Sequence, residues 1–264
     1  MKTTHRIGTI AATGVLAATT IAGTATAGTA TGSSITPCLT TTHQTPTAAN
    51  VARFIAGKRR TGAAQQSIDE ALSTQYGLTR AQTASSAGVV SPRDITSHGL
   101  TVASPYIYSQ TCTQDVFLDG PWHWSNNFSD VADGTHYDGI ALGFNTSIHM
   151  TGSSACHWGD SFGVNCSLDS SMNDGANGRG MNFKNRVAGS DGSAKYGDGI
   201  ISFNGGGICG NYWGFSSYAH GALGNNITGW AFTGGMLEAD FSNMSSSVQW
   251  TVASDVHSNS VYTC

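Results

Sequence analysis

Tyr137-Asp138-Gly139-Ile140 runs through Phe144-Asn145 to Cys156-His157-Trp158-Gly159, and the same order returns as Tyr196-Gly197-Asp198-Gly199-Ile200, Phe203-Asn204, Cys209 and Trp213-Gly214. The two passages read as imperfect copies of one unit: a turn, a short apolar strand closed by Phe-Asn, then a Cys and a Trp-Gly. Short apolar runs punctuated by Gly-rich turns mark a chain of short strands. The stretch is expected at the centre of a β-rich domain stapled by disulfides.

Toward the C-terminus the same texture continues. Thr228–Thr233, Gly234-Gly235 and Met236–Ser242 read as a hairpin, two extended runs on a two-residue Gly-Gly turn. Leu237, Ala239 and Phe241 alternate with Glu238 and Asp240, so one face is apolar. Ser246–Ala253 alternates likewise through Val248, Trp250 and Val252. Toward the N-terminus, Tyr106–Tyr108 and Asp115–Leu118 are expected as early strands. The fold class is mainly β: an antiparallel β-sandwich or barrel-like domain over residues 100–264, stapled by disulfides.

Ahead of it stands a short helical leader, residues 51–99. Val51, Phe54 and Ile55 have helical spacing, Thr47 or Asn50 is placed to cap the start, and Lys58-Arg59-Arg60 suits the negative end of the helix dipole. A second helix is expected over Gln65–Tyr76, with Ile68, Leu72 and Tyr76 on one face and Gly77 as its stop. Residues 28–50 form a low-complexity linker of Gly, Thr, Ser and Ala that cannot bury a core. Residues 1–27 have the form of a signal peptide: Lys2, His5 and Arg6, an apolar run from Ile7 to Ala22, and Ala25-Thr26-Ala27 at the cleavage position. The expected location is secreted and extracellular, and no later segment reads as a membrane span.

Composition agrees with export. Of 264 residues only 11% are charged, and 34 are Gly. The six cysteines, Cys38, Cys112, Cys156, Cys166, Cys209 and Cys264, are an even set that argues for three disulfides in an oxidising compartment. Their pairing is open, although Cys156 and Cys166 are close enough to close a local loop. Charge divides with texture. Residues 28–100 carry six basic against three acidic side chains, a net +3; residues 101–264 carry four against thirteen, a net −9. An acidic domain with four basic residues is a poor partner for nucleic acid. A basic leader before an acidic domain has the makings of a docked pro-segment, which would stay attached if Cys38 is bridged to the β region.

Several constellations carry chemistry. Gly159-Asp160-Ser161-Phe162-Gly163 matches G-x-S-x-G, which makes Ser161, with His157, Asp160 or His257, a candidate nucleophilic set. The flanks lack the strand and helix that a nucleophile elbow needs. Asp-Gly pairs occur at Asp119, Asp133, Asp138, Asp174, Asp191 and Asp198 and read as turn residues. Around Asp169, Asn173 and Asp174 they offer an alternative, calcium, without the EF-hand pattern. No cofactor is otherwise expected, and no His pair has metal-ligand spacing. In Trp122-His123-Trp124 the two indoles share one side of a strand. With Asn126 and Asn127 they form a candidate surface for stacking on sugar rings.

The leading expectation is a secreted non-catalytic binding protein, with extracellular or cell-surface carbohydrate as its ligand. The alternatives are a secreted hydrolase with a Ser- or carboxylate-based site, and a toxin or self-assembling coat protein.

Overall fold

The computed structural model describes residues 43–81, 95–97, 99–110, 113–125, 135–168, 170–172, 176–188, 191–205, 209–221, 227–233, 236–241, 250–253 and 258–263. All of them belong to one compact unit, Cys38–Cys264. In chain order the elements are α1 (Ala48–Arg60), α2 (Gln65–Tyr76), β1 (Leu78–Arg80), β2 (Ile95–Ser97), β3 (Leu100–Val102), β4 (Tyr106–Gln110), β5 (Asp115–Trp124), β6 (Thr135–Phe144), β7 (Met150–Trp158), β8 (Ser170–Met172), β9 (Gly178–Ala188), β10 (Asp191–Gly192), β11 (Tyr196–Asn204), β12 (Gly210–Tyr212), β13 (Gly214–His220), β14 (Ile227–Thr233), β15 (Met236–Phe241), β16 (Trp250–Ala253) and β17 (Val261–Thr263).

The helices form where the sequence places them. The Thr47 hydroxyl accepts from the Asn50 amide at 3.2 Å and caps α1. Val51, Ala52, Ile55 and Ala56 make its buried stripe, and Lys58, Arg59 and Arg60 close it. Ile68, Leu72 and Tyr76 are the buried face of α2, and Gly77 ends it in the left-handed region at φ 68°.

The strands make two antiparallel sheets. One runs β1-β4-β5-β11-β7, with β3 also on β5 and β2 on β3; the other runs β10-β9-β6-β13-β16, with β8 on β9. Each path ends on edge strands, so the domain is an open sandwich and not a closed barrel. The two echoing passages become β6 and β11, interior strands of opposite sheets. Their Phe-Asn endings do similar work. Asn145 accepts from the Trp213 amide at 3.0 Å, and Asn204 donates to the Thr113 carbonyl at 2.8 Å, each tying a strand end to a neighbouring loop.

Side-chain alternation sorts the core into layers. Between the sheets, Val116, Leu118, Trp122, Trp124, Ile201 and Phe203 meet Ile140, Leu142, Phe144, Met181, Phe183 and Tyr218. On the outer face of the first sheet, Tyr108, Phe117, Cys156, Trp158 and Ile200 pack under the helices. On the outer face of the second, Ala141, Phe215 and Ala219 pack under Ile227, Trp230 and Ala239 of the β14–β15 hairpin. The order is therefore helices, sheet, sheet, hairpin.

The Asp-Gly pairs correct one expectation. Asp119-Gly120, Asp138-Gly139 and Asp198-Gly199 lie inside β5, β6 and β11, and all three carboxylates are fully buried. Their glycines serve close approach. A Cβ on Gly120 would stand 2.4 Å from Leu142, and one on Gly139 2.8 Å from Trp230. Gly197 and Gly180 face Trp122 and Trp230 still more tightly, at 2.1 and 1.9 Å. Gly139, Gly180 and Gly197 thus make room for indoles.

Candidate functional site

Ser161 is exposed in the turn after β7. His157 is buried, its ring lies 4.8 Å from Phe183, and its Nδ1 donates to the Ser193 carbonyl at 2.8 Å. The Asp160 carboxylate is held by Lys195. The acid that a serine relay needs behind its base is thus engaged elsewhere, and the base faces the sandwich interior. Lys195 and its attached hydrogen bond hold Asp160 below the usual carboxylate range. His257, Asn126, Asn127, Asp169, Asn173 and Asp174 lie outside the described residues, as do Cys38, Cys112 and Cys264. Cys156 and Cys166 are disulfide-bonded, and an antiparallel bridge between His157 and Asn165 closes the same loop. Cys209 is also disulfide-bonded, and none of the described cysteines is free.

Trp122 and Trp124 do share one side of β5, and that side is the sandwich interior. Trp122 is 2% exposed, stacks on Phe183 at 5.3 Å, and donates its indole N–H to the Ala194 carbonyl. Trp124 meets Tyr218 and His220 edge-on at 6.0 and 5.3 Å. Neither indole presents a face for a sugar ring. They are core because the residues between and beside them, Pro121 and His123, take the other side of the strand.

That other side carries an aromatic row. Strand register sets Trp158, Tyr196 and His123 next to one another across β7, β11 and β5. The Trp158 and Tyr196 rings are 6.0 Å apart and 20° from parallel. Tyr196 is half-buried and His123 exposed. The row floors a pocket of about 930 Å³ whose walls include Arg59 and Arg60 from the last turn of α1, Tyr106 from β4, and Asp160 from the disulfide loop.

Next to this floor, on the same face, the sheet carries a buried ionic cluster. Asp119 pairs with Ile200 in register and Asp198 with Pro121, so the two carboxylates are diagonal neighbours on one face. Arg59 reaches down from α1 to both. Its Nη2 donates to Asp119 at 2.8 Å, and its Nη1 donates to Asp119 at 3.3 Å and also to Asp198. Nη2 further donates to Gln65 at 2.9 Å. Gln65 and Tyr108 both donate to Asp69 at 2.9 Å, and Arg80 closes the chain on Asp69 at 3.0 Å. Two carboxylates thus face one guanidinium, and among the described residues Oδ2 of Asp198 has no hydrogen-bond partner. Burial pushes the Asp119 carboxyl up, and Arg59 only partly offsets it. Burial is the strongest influence and works against the Arg59 charge, but Asp119 together with Tyr108 and Tyr106 outweighs it, and the guanidinium is held more firmly protonated.

The third buried carboxylate has a different setting. Asp138 lies between the sheets and accepts from Tyr218 at 2.6 Å, from Asn185 and His220 at 2.9 Å, and from the Gly221 amide at 3.3 Å. Burial and then Asp138 push the Tyr218 hydroxyl well up. Among the described residues no group of three or more His, Cys, Asp or Glu is placed to hold a metal ion. No described helix is long and apolar enough to cross a membrane.

Sequence reading gave Arg59 to a helix end and Asp119 and Asp198 to turns, and it missed both their cluster and the row Trp158–Tyr196–His123. The signal available was the opposed charge of leader and β region; the pairing of particular residues needed strand register.

No protein-family model matches the chain, and no curated protein matches it. Among solved structures, the collagen-binding subdomain of the Enterococcus faecalis surface protein ACE aligns at 9% identity and TM-score 0.28, over 55% of this chain and 88% of that one. A chain from a structure of manganese lipoxygenase of Gaeumannomyces graminis and zonadhesin of Komagataella pastoris aligns at 7% identity and TM-score 0.27, over 70% and 82%. AvmM, which catalyses macrocyclization in alchivemycin A biosynthesis, aligns at 9% identity and TM-score 0.25, over 57% and 94%. Likeness this slight carries no argument about function.

Proposed function

We propose that the chain is a secreted binding protein for extracellular carbohydrate, and that its ligand occupies the pocket between the end of α1 and the aromatic row of the first sheet. The observation that carries the reading is that pocket: about 930 Å³, floored by Tyr196 and His123 and walled by charged and hydroxyl-bearing residues. This is the size of small-ligand sites, and apolar ring faces edged by a few polar groups suit a sugar. Two ionisable residues of its walls are engaged in ion pairs, Arg59 with Asp119 and Asp198, and Asp160 with Lys195. The disulfide Cys156–Cys166 supports an oxidising location, in keeping with the signal-like N-terminus. A coat or toxin role gains nothing comparable: among the described residues Tyr262 is the one large apolar side chain that is exposed.

Binding of the full chain to a glycan array, followed by calorimetry on the best hit, tests the reading. Loss of one stacking face in Tyr196→Ala is worth about 1 kcal/mol, or roughly fivefold in Kd. Unchanged binding by the double variant Tyr196→Ala/His123→Ala would move the ligand elsewhere, and an array with no hit removes carbohydrate.

A further inference from the structure

A binding pocket has no need of the cluster beside its floor. Burying two carboxylates to hold one arginine is expensive, and apolar residues of similar volume would weld a helix to a sheet at least as well. Departures of this kind concentrate at sites of function. Three observations give the cluster a direction. Both carboxylates are fully buried at the middle of the sheet, on the face that carries the pocket floor and next to it along β5 and β11, with Arg59 between them and the pocket. They share one donor nitrogen, Nη1 of Arg59, and Oδ2 of Asp198 has no partner among the described residues. Arg59 is at once their plug and part of the pocket wall, delivered by a basic helix end onto an acidic sheet.

We propose that Asp119 and Asp198 are a covered carboxylate pair for glycoside hydrolysis, and that the last turn of α1 is its inhibitory cover, with Arg59 as the plug. The proposal rests on the carbohydrate reading of the pocket and extends it to an opened form of the same site. Two acceptors of one nitrogen lie within about 6 Å of each other, two hydrogen-bond lengths. Carboxylates about 5–5.5 Å apart are the arrangement that hydrolyses with retention. With Arg59 withdrawn, protonated Asp119 gives its proton to the leaving oxygen as the anomeric C–O bond breaks. Oδ2 of Asp198 adds to the anomeric carbon and forms a glycosyl ester. Water then attacks that carbon, loses its proton to Asp119, and releases Asp198 as carboxylate. The sum is glycoside plus water to sugar plus alcohol, with both residues restored. Burial, which raises the Asp119 carboxyl, suits it to the acid role.

The test uses the full chain, wild type and Arg59→Ala, on a panel of 4-methylumbelliferyl glycosides at mildly acidic pH. Each protein is also treated with matching 2-deoxy-2-fluoro glycosides and mapped by mass spectrometry. Arg59→Ala is expected to raise turnover by about 100-fold or more over wild type, on the scale of acid–base catalysis. The fluoro sugar is expected on Asp198, and Asp198→Asn on the Arg59→Ala background should lose both signals. Should Arg59→Ala not fold, wild type still decides: transient opening gives a slow turnover that Asp119→Asn and Asp198→Asn must each abolish. Absence of turnover and label from wild type and from Arg59→Ala overturns the proposal, as does turnover indifferent to Asp198→Asn. If wild type binds oligosaccharides on the array while no protein turns over or labels, the binding reading stands and the hydrolytic one falls.

Discussion

Replacing Arg59 by Met removes the cation that bridges Asp119 and Asp198 while keeping an unbranched chain of similar length. In the wild-type protein the Arg59 side chain is 15% exposed and both carboxylates are 0% exposed. Breaking a buried pair by removing one partner costs about 3–5 kcal/mol. An orphaned carboxylate limits its own cost by taking a proton. From an ordinary value of 3.8 for Asp119, protonation at pH 7 costs about 4 kcal/mol, and at pH 5 less than about 2. The sign follows from linkage. Loss of Arg59 removes the influence that lowers the Asp119 carboxyl, so its folded pKa rises further above the unfolded value. The folded variant then holds more protons than its unfolded chain. Its stability is fully present below the unfolded pKa and is lost as pH climbs toward the folded one, by up to about 1.4 kcal/mol per pH unit for each proton. Urea unfolding at pH 5, 6 and 7 reads this directly. The deficit relative to wild type should grow from under about 2 to about 4 kcal/mol across that range, the latter a fall in Tm of about 8–16 °C for a domain of this size. A deficit below about 1 kcal/mol at pH 7, or one that does not change with pH, would show that the ion pair behaves as an exposed one. The cluster would then not be the dry site the geometry describes.

Two further outcomes test the packing. Gly180→Ala would set a methyl group 1.9 Å from the Trp230 indole, so the hairpin layer must shift. The expected loss is about 1–3 kcal/mol by urea unfolding, with Trp230 fluorescence altered in the folded state. Replacing both Cys156 and Cys166 by Ser opens a loop of sequence separation 10. A loop this short predicts a loss of about 2–3 kcal/mol, read as a lower midpoint that reduction of the wild type should reproduce in part.

How far the fold was legible depends on how local its causes are. Thr47, Val51, Ile55, Ile68, Leu72 and Gly77 act within a turn or two of helix, and α1 and α2 fall where that pattern sets them. The hairpin of β14 and β15 is equally local, with Thr233 paired to Met236. The shared side of Trp122 and Trp124 was also legible, because alternation fixes it. Which side that is was not. The sequence offers Trp122 and Trp124 to either face of β5, and only the layer packed there, Phe183 and Tyr218 on one side and α1 on the other, decides between core and surface. The candidate site suffered most. Trp158, Tyr196 and His123 are far apart in sequence and become neighbours through register alone.

The repeated Asp-Gly-Ile shows why identical strings take different work. In β6, Asp138 and Ile140 point between the sheets, and Gly139 clears space for Trp230 on the outside. In β11, Asp198 and Ile200 point outward under the helices, and Gly199 faces inward against Ile140. A strand has period two, so one residue of offset exchanges its faces. The second copy tolerates the exchange because Ile201 follows Ile200 and supplies the inner face, while α1 and α2 bury the outer one. Asp138 consequently meets His220, Tyr218 and Asn185, a set of hydrogen-bond donors that satisfies it on both oxygens. Among the described residues Asp198 meets a single arginine already shared with Asp119 and keeps one oxygen unmet. One carboxylate is therefore a finished structural contact, whereas the other depends on a helix end that the charge balance of the chain draws onto it. The contrast predicts opposite responses to amide replacement: Asp138→Asn places a donor against Tyr218, His220 or Asn185 and should cost about 1–3 kcal/mol. Asp198→Asn leaves Arg59 with Asp119 in a one-to-one pair and should raise the urea midpoint at pH 7. A lower midpoint for Asp198→Asn would mean that Arg59 needs both charges, and that the second carboxylate is part of the clamp and not in excess of it.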